Sequence, residues 1–173
     1  MTVNLSTKYL GLQLEHPIVA SASPLTSTVD GIRALEDAGA AAVVMPSLFE
    51  EQIRAEDTAY ALYTDHGSYS QSEAGSYFPQ MPDYDSGVSG HLDTLRRAVA
   101  AVDIPVIASL NGVTVGDWVG HARRMQEAGA AAIELNVYFI AADPDETSGS
   151  VESRYVELVE AVRAEIGVPL AVK

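Results

Sequence analysis

The chain has 173 residues, 47% of them hydrophobic, at a mean hydropathy of +0.08, which is enough to build one ordinary core. Twenty-four Asp and Glu against ten Lys and Arg leave a formal charge of −14. With no basic run to neutralise phosphates, nucleic acid and anionic membrane are excluded as expected partners. The absence of cysteine removes disulfides, thiolate metal sites and a cysteine nucleophile or base.

The opening "MTVNLSTKYLGLQLEHP" lacks the charged start and apolar core of a signal peptide, and no apolar stretch nears the roughly 20 residues of a membrane span. The expectation is a cytoplasmic protein whose lead-in folds as a short hairpin. "HPIVASAS" from His16 then reads as a first strand, entered through proline. From Ser27 to Ala38 a helix is predicted: Val29, Ile32, Leu35 and Ala38 form its apolar stripe, Ser27 and Asp30 resemble a capping box, and Gly39 stands at C′. "EDAGAAAVVMPS" from Glu36 carries the second strand, reached through a run of small residues.

From Leu48 to Val88 the rhythm breaks. "EEQIRAEDTAYAL" reads as a polar helix, followed by a Tyr-, Ser-, Gly- and Pro-rich loop of the kind that more often carries function than structure. A helix over Ser89 to Val102 (Leu92, Leu95, Val99, Val102) leads to the strand "IPVIASLNG" from Ile104. Another helix from about Thr114 (Val115, Trp118, Val119, Ala122, Met125), closed by Gly129, leads to "QEAGAAAIELNV" from Gln126. The last helix, Val151 to Ile166, carries Tyr155, Leu158, Val159 and Val162 and leads to "VPLAVK" from Val168.

The strands alternate in chain order between a proline entry and an alanine-rich entry. Each is a nearly continuous apolar run, the signature of a parallel strand buried on both faces. Sequential βα units predict an α/β fold with a parallel sheet. No G-x-G-x-x-G follows the first strand, so a dinucleotide-binding sheet lacks its main signal. The remaining architecture is a (β/α)8 TIM barrel, here an incomplete one of about five βα units with an N-terminal hairpin, residues 1–173 forming part of a single domain.

A barrel's active site lies at the C-terminal ends of its strands. Those positions hold Ser21, Ala22 and Ser23; Pro46 and Ser47; Ser109, Asn111 and Gly112; Glu134 and Asn136; and Lys173. A rim of small and amide residues suits a flat small-molecule ligand lying close to backbone, with one cation to stabilise negative charge. Asn111-Gly112 reads equally well as a plain turn. His16, His66, His91 and His121 share no metal-ligand spacing, and "DPDET" at Asp143 to Thr147 lacks a calcium loop's pattern. Trp118 lies on a helical apolar stripe and reads as core.

"LGLQLEHPIVASASPLT", "AGAAAVVMPSLFEEQI", "IPVIASLNG", "AAIELNV" and "VPLAVK" resemble, in order and spacing, the flavin-dependent dihydroorotate dehydrogenases, most closely the branch related to the soluble class 1 enzymes. The resemblance implies an FMN-binding barrel oxidoreductase that oxidises dihydroorotate to orotate in pyrimidine biosynthesis. It further implies that Ser21, Ala22, Asn111, Asn136 and Lys173 contact the flavin, Lys173 at its electron-accepting edge, and that Asn136 and Ser47 meet the substrate. Three positions depart from the family pattern. Met45-Pro46-Ser47 replaces a lysine-bearing stretch, Phe139 stands where the base is expected, and Ala141 replaces a second asparagine. Tyr138, Ser47, Tyr63, His66 and Tyr77 are the substitutes for a base, none of them strong because unperturbed Tyr and Ser are poor bases. The departures also favour a flavin barrel with another substrate, and the incomplete barrel leaves a second alternative, a non-catalytic half-barrel that needs a partner. Unpaired first and fifth strands would make this chain associate, and FMN would bind it weakly because barrel phosphate sites lie near the last strands.

Overall fold

The computed structural model describes residues 3–49, 87–112, 118–138 and 140–173. The chain opens with a hairpin, β1 (Thr7–Tyr9) and β2 (Leu12–Leu14), antiparallel with Tyr9 opposite Leu12. Its two turn residues, Leu10 and Gly11, both have positive φ (52° and 77°), the backbone that matches the twist of a tight hairpin.

Five strands follow in one parallel sheet whose spatial order is the chain order: β3 (Val19–Ala20), β4 (Ala42–Phe49), β5 (Val106–Asn111), β6 (Ala132–Asn136) and β7 (Leu170–Val172). Between them run a 3-10 turn at Pro24–Thr26 and the helices α1 (Val29–Asp37), α2 (Gly87–Val99), α3 (Trp118–Glu127) and α4 (Ser148–Glu165). Sequential parallel order with a helix in the crossover is the wall of a (β/α)8 barrel, here five strands of it, with the hairpin in front.

Each face of the sheet has its own core. On the helix side, Val43, Met45, Leu48, Val106, Ala108, Leu110, Ile133 and Leu135 pack against Ile32 of α1, Leu92 and Leu95 of α2, Ala122 and Met125 of α3, and Leu158 and Val162 of α4. These helix positions recur every three to four residues, as expected for one buried stripe. On the opposite face, Val44, Ile107 and Ala132 make one apolar layer, onto which Leu10 and Leu12 of the hairpin fold. Leu14 packs beside Ala41 and Ala42 at the N-terminal ends of the strands.

Strand parity changes once. Val44 pairs with Ile107, yet Ser47 pairs with Ser109, so Met45 and Pro46 together face one residue of β5. This is a β-bulge, and a proline without an N–H is tolerated there because the ladder is already interrupted. Sequence reading ended the second strand at Pro46. The bulge instead lets it continue to Phe49 while turning Leu48 toward the helices and Ser47 toward the interior.

Helix boundaries moved by a turn or less. Thr28, not Ser27, caps α1, its hydroxyl accepting from the Gly31 N–H at 3.1 Å. Helix α2 starts at Gly87 rather than Ser89, and α4 at Ser148, behind the Thr147 cap that accepts from Ser150. The predicted polar helix and loop, with Tyr63, His66 and Tyr77, and the position of Phe139 lie outside the described residues, as does the Trp118 side chain.

Candidate functional site

At their C-terminal ends β5 and β6 carry polar residues at alternate positions and β4 carries Ser47, all on the interior face. Ser109 stands opposite Ser47 and Glu134, Glu134 opposite Ala171, and Asn111 opposite Asn136. Beyond β7, the Lys173 N–H donates to the Leu135 carbonyl at 2.9 Å, and the Val137 N–H returns to the Lys173 carbonyl at 3.2 Å. The lysine is thereby held in register beside β6.

These side chains touch in one network. Ser47 Oγ and Ser109 Oγ lie 2.7 Å apart, and Asn136 Nδ2 donates to both, at 3.0 and 3.2 Å. Ser109 Oγ donates to Glu134 Oε1 at 3.3 Å, and Lys173 Nζ lies 3.8 Å from the same oxygen. Ser109 is fully buried, Ser47 and Asn136 half-buried. The Glu134 side chain is 14% exposed against 68% for Lys173, so the carboxylate is held by the fold while the lysine side chain is largely exposed.

Of the residues singled out from sequence, Ser47, Asn136 and Lys173 thus come together. Asn111 ends β5 half-buried, one step from the network. Its neighbour Gly112 is buried and donates to the Asn136 carbonyl at 3.1 Å, which makes Asn111-Gly112 a continuation of the β5–β6 ladder and not a turn. Ser21 is exposed beyond β3, and Ala22 packs on the Val44, Ile107 and Ala132 layer. Tyr138 is 70% exposed past the end of β6. Sequence reasoning placed Ser109 and Glu134 on the rim without giving either a role. Their signal was polarity at alternate positions of otherwise apolar strands, Ser109 with Asn111 and Glu134 with Asn136.

A concavity of about 530 Å³ lies between the chain after β6 and the start of α4. Asp143, Asp145, Glu146 and Arg154 line it, and Arg154 is paired with Glu146. Asp145 N–H donates to Asp143 Oδ1 at 2.9 Å, so this acidic run organises its own turn ahead of the helix. Among the described residues no group of three or more His, Asp or Glu is arranged to hold a metal ion. Among them, too, no helix is long and apolar enough to cross a membrane.

No protein-family model matches the chain. A curated relative from Aeropyrum pernix, provisionally named dihydroorotate dehydrogenase A (fumarate), is 33% identical over 84 residues, which are 46% of this chain and 26% of that protein. Among solved structures the chain is similar to phosphonopyruvate hydrolase in complex with oxalate and Mg2+ (17% identity, TM-score 0.50, 88% of this chain and 44% of that one). It is also similar to a dihydrodipicolinate synthase of Bacillus anthracis (16%, TM-score 0.51, 90% and 44%). The chain therefore spans about a quarter of the curated relative and under half of these structures. At such identities the structural likeness carries the barrel fold alone.

These findings correct the family resemblance. The solved neighbours are hydrolase and synthase barrels and not flavin oxidoreductases, while the dihydroorotate dehydrogenase likeness reaches less than half of the chain. Membership of that family, the oxidation of dihydroorotate in pyrimidine biosynthesis and FMN as cofactor are accordingly withdrawn. The physical reason lies in what the motifs encode. "AGAAAVV" and "IPVIAS" specify small residues where a helix closes and a strand enters a barrel, a requirement of the architecture that any βα barrel shares. At the rim, Asn136 donates to Ser47 and Ser109, and Lys173 faces Glu134, so two of the positions read as flavin contacts have partners within the chain.

Proposed function

We propose that the protein is a barrel enzyme that moves a proton to or from the carbon next to the carbonyl of a small organic acid. The observation that carries this reading is Glu134, a carboxylate at the strand ends held between the Ser109 hydroxyl and the Lys173 ammonium. Removing a proton beside a carbonyl needs a positioned base and a cation to stabilise the enolate oxygen as charge develops. Glu134 is the base in this reading. Lys173, with donors to spare and a largely exposed side chain, binds the substrate anion and then the enolate.

Ser47 and Asn136 line the same mouth and contact the substrate, and Ser21, Ala22 and Asn111 complete its floor and rim. The solved phosphonopyruvate hydrolase holds oxalate, a small dicarboxylate, and a ligand of that size suits a mouth built from Ser, Asn, Glu and Lys. A small-molecule substrate, a cytoplasmic setting, self-association and residues 1–173 as the N-terminal part of a single barrel domain belong to the same proposal.

The test is hydrogen exchange. Pyruvate and a panel of other small 2-oxo acids are incubated with the protein in D2O, and loss of the C3 proton signal is followed by NMR. The expected result is catalysed exchange with at least one acid, reduced by about 100-fold or more in Glu134→Gln and in Lys173→Met, the usual scale for losing an acid–base group. Failure of every acid to exchange above the heat-inactivated control would overturn the reading.

A further inference from the structure

Once Ser109 donates to Glu134, the donors and acceptors of the strand-end network fall into one arrangement of protons. Glu134 is a carboxylate and only accepts, so the single Ser109 proton points to Glu134 Oε1. The 2.7 Å contact between the two serines must then use the Ser47 proton, donated to Ser109 Oγ. With both hydroxyl protons committed, the Asn136 atom facing the serines must itself be a donor, and it is the amide nitrogen. A one-way chain results, from Ser47 at the half-buried rim, through fully buried Ser109, to Glu134.

We infer that Ser47 is a catalytic residue, the substrate-facing end of a proton relay to Glu134 whose direction the acceptor-only carboxylate sets, with Asn136 donating to both serine oxygens from the side. The inference rests on the proton-transfer reading above and deepens it by naming how the proton travels. The substrate C–H gives its proton to the free lone pair of Ser47 Oγ. The Ser47 proton passes to Ser109 Oγ, and the Ser109 proton passes to Glu134, which becomes a neutral carboxylic acid. The substrate keeps the electron pair of the broken C–H bond as an enolate facing the Lys173 ammonium. Three hops carry one net proton from substrate to Glu134, charge is conserved, and no oxidant or further reactant is needed. Ser47 thus acts without being a strong base itself, because the proton ends on a carboxylate. The bulge at Met45-Pro46 is what brings Ser47 level with Ser109; an unbroken register would set Ser47 opposite Leu110.

Two measurements test the relay. Neutron diffraction of the deuterated protein reads the hydroxyls directly. Deuterons on the Ser47–Ser109 and Ser109–Glu134 lines are expected, and a Ser109 deuteron aimed at Ser47 would overturn the direction. In the exchange assay with the acid the wild type turns over most readily, Ser109→Ala should lower the maximal exchange rate by about 100-fold while its half-saturating concentration stays within about twofold. Ser47→Ala should behave alike and Ser47→Thr, which keeps the hydroxyl, should recover most of the rate. Undiminished exchange in Ser109→Ala would sink the relay and leave Glu134 acting directly. Absence of exchange in the wild type itself would remove the proton-transfer reading and the catalytic role of the relay together.

Discussion

Glu134 and Ser109 show how a site residue hides in a sequence. Both sit inside strands that are otherwise apolar except for a terminal asparagine, where a polar residue reads equally well as a solvated strand end. Only the register, Ser47 beside Ser109 beside Glu134, makes them one network, and Ser47 reaches that level through a bulge that strand patterning did not reveal. The distant pair Ser47 and Asn136, 89 residues apart in the chain, is a contact between strands and not a motif. A different single-residue effect concerns His91 on α2. Desolvation by burial lowers its pKa below the ordinary histidine value, and its buried Nε2 has no hydrogen-bond partner among the described residues. The folded state therefore holds the neutral imidazole, and the unfolded chain binds the proton more readily. Stability from this group is present above about pH 6.5, the unfolded value, and is lost as pH falls toward the lowered folded value. Urea midpoints measured at pH 8 and pH 5 should differ less in His91→Leu than in the wild type.

Two helices end in the same device. At the end of α1 the Gly39 N–H bonds the Glu36 carbonyl and the Ala40 N–H the Leu35 carbonyl. At the end of α3 Gly129 and Ala130 repeat this on Gln126 and Met125, with φ of 91° and 99° at the two glycines. This is the Schellman closure that the positions of both glycines predict. The side chains just before it also repeat. Glu36 Oε1 accepts from the N–H groups of Asp103 and Ile104, and Gln126 Oε1 from those of Gly167 and Val168. Each acceptor thus clamps the two residues ahead of a strand-entry proline, Pro105 or Pro169, whose carbonyl in turn accepts from Val43 or Ile133. That pairing is the physical content of the alternating proline and alanine strand entries seen in the sequence. Replacing Gln126 by Ala strands two backbone donors and should cost about 1–2 kcal/mol in urea unfolding, whereas Gln126→Glu keeps the acceptor and should cost less. Equal losses for the two variants would refute the clamp.

For the molecule as a whole, the hairpin covers the N-terminal end of the sheet's interior face. Leu10 and Leu12 cover the Val44, Ile107 and Ala132 layer, and Leu14, 2% exposed, packs on Ala41 and Ala42. Leu10 keeps a positive φ that a β-branched or bulky side chain ordinarily avoids, and its packing holds it there. Leu14→Ala should lower stability by about 2–4 kcal/mol, read from the urea midpoint at unchanged slope. A loss under 1 kcal/mol would mean that the hairpin is not part of the cooperative core. The sequence by itself determined the α/β class, the order of strands and helices, the two glycine-closed helix ends and the hairpin. All of these rest on periodicity and on backbone needs felt within a few residues. Family and cofactor were over-read from the same stretches, because small residues at strand entries answer to barrel geometry before they answer to a ligand. The β4 bulge, the Glu36 and Gln126 clamps and the Ser47–Ser109–Glu134–Lys173 network were decided only by the tertiary structure. Each joins residues tens of positions apart, whose contact is set by strand register and by no local preference of the chain.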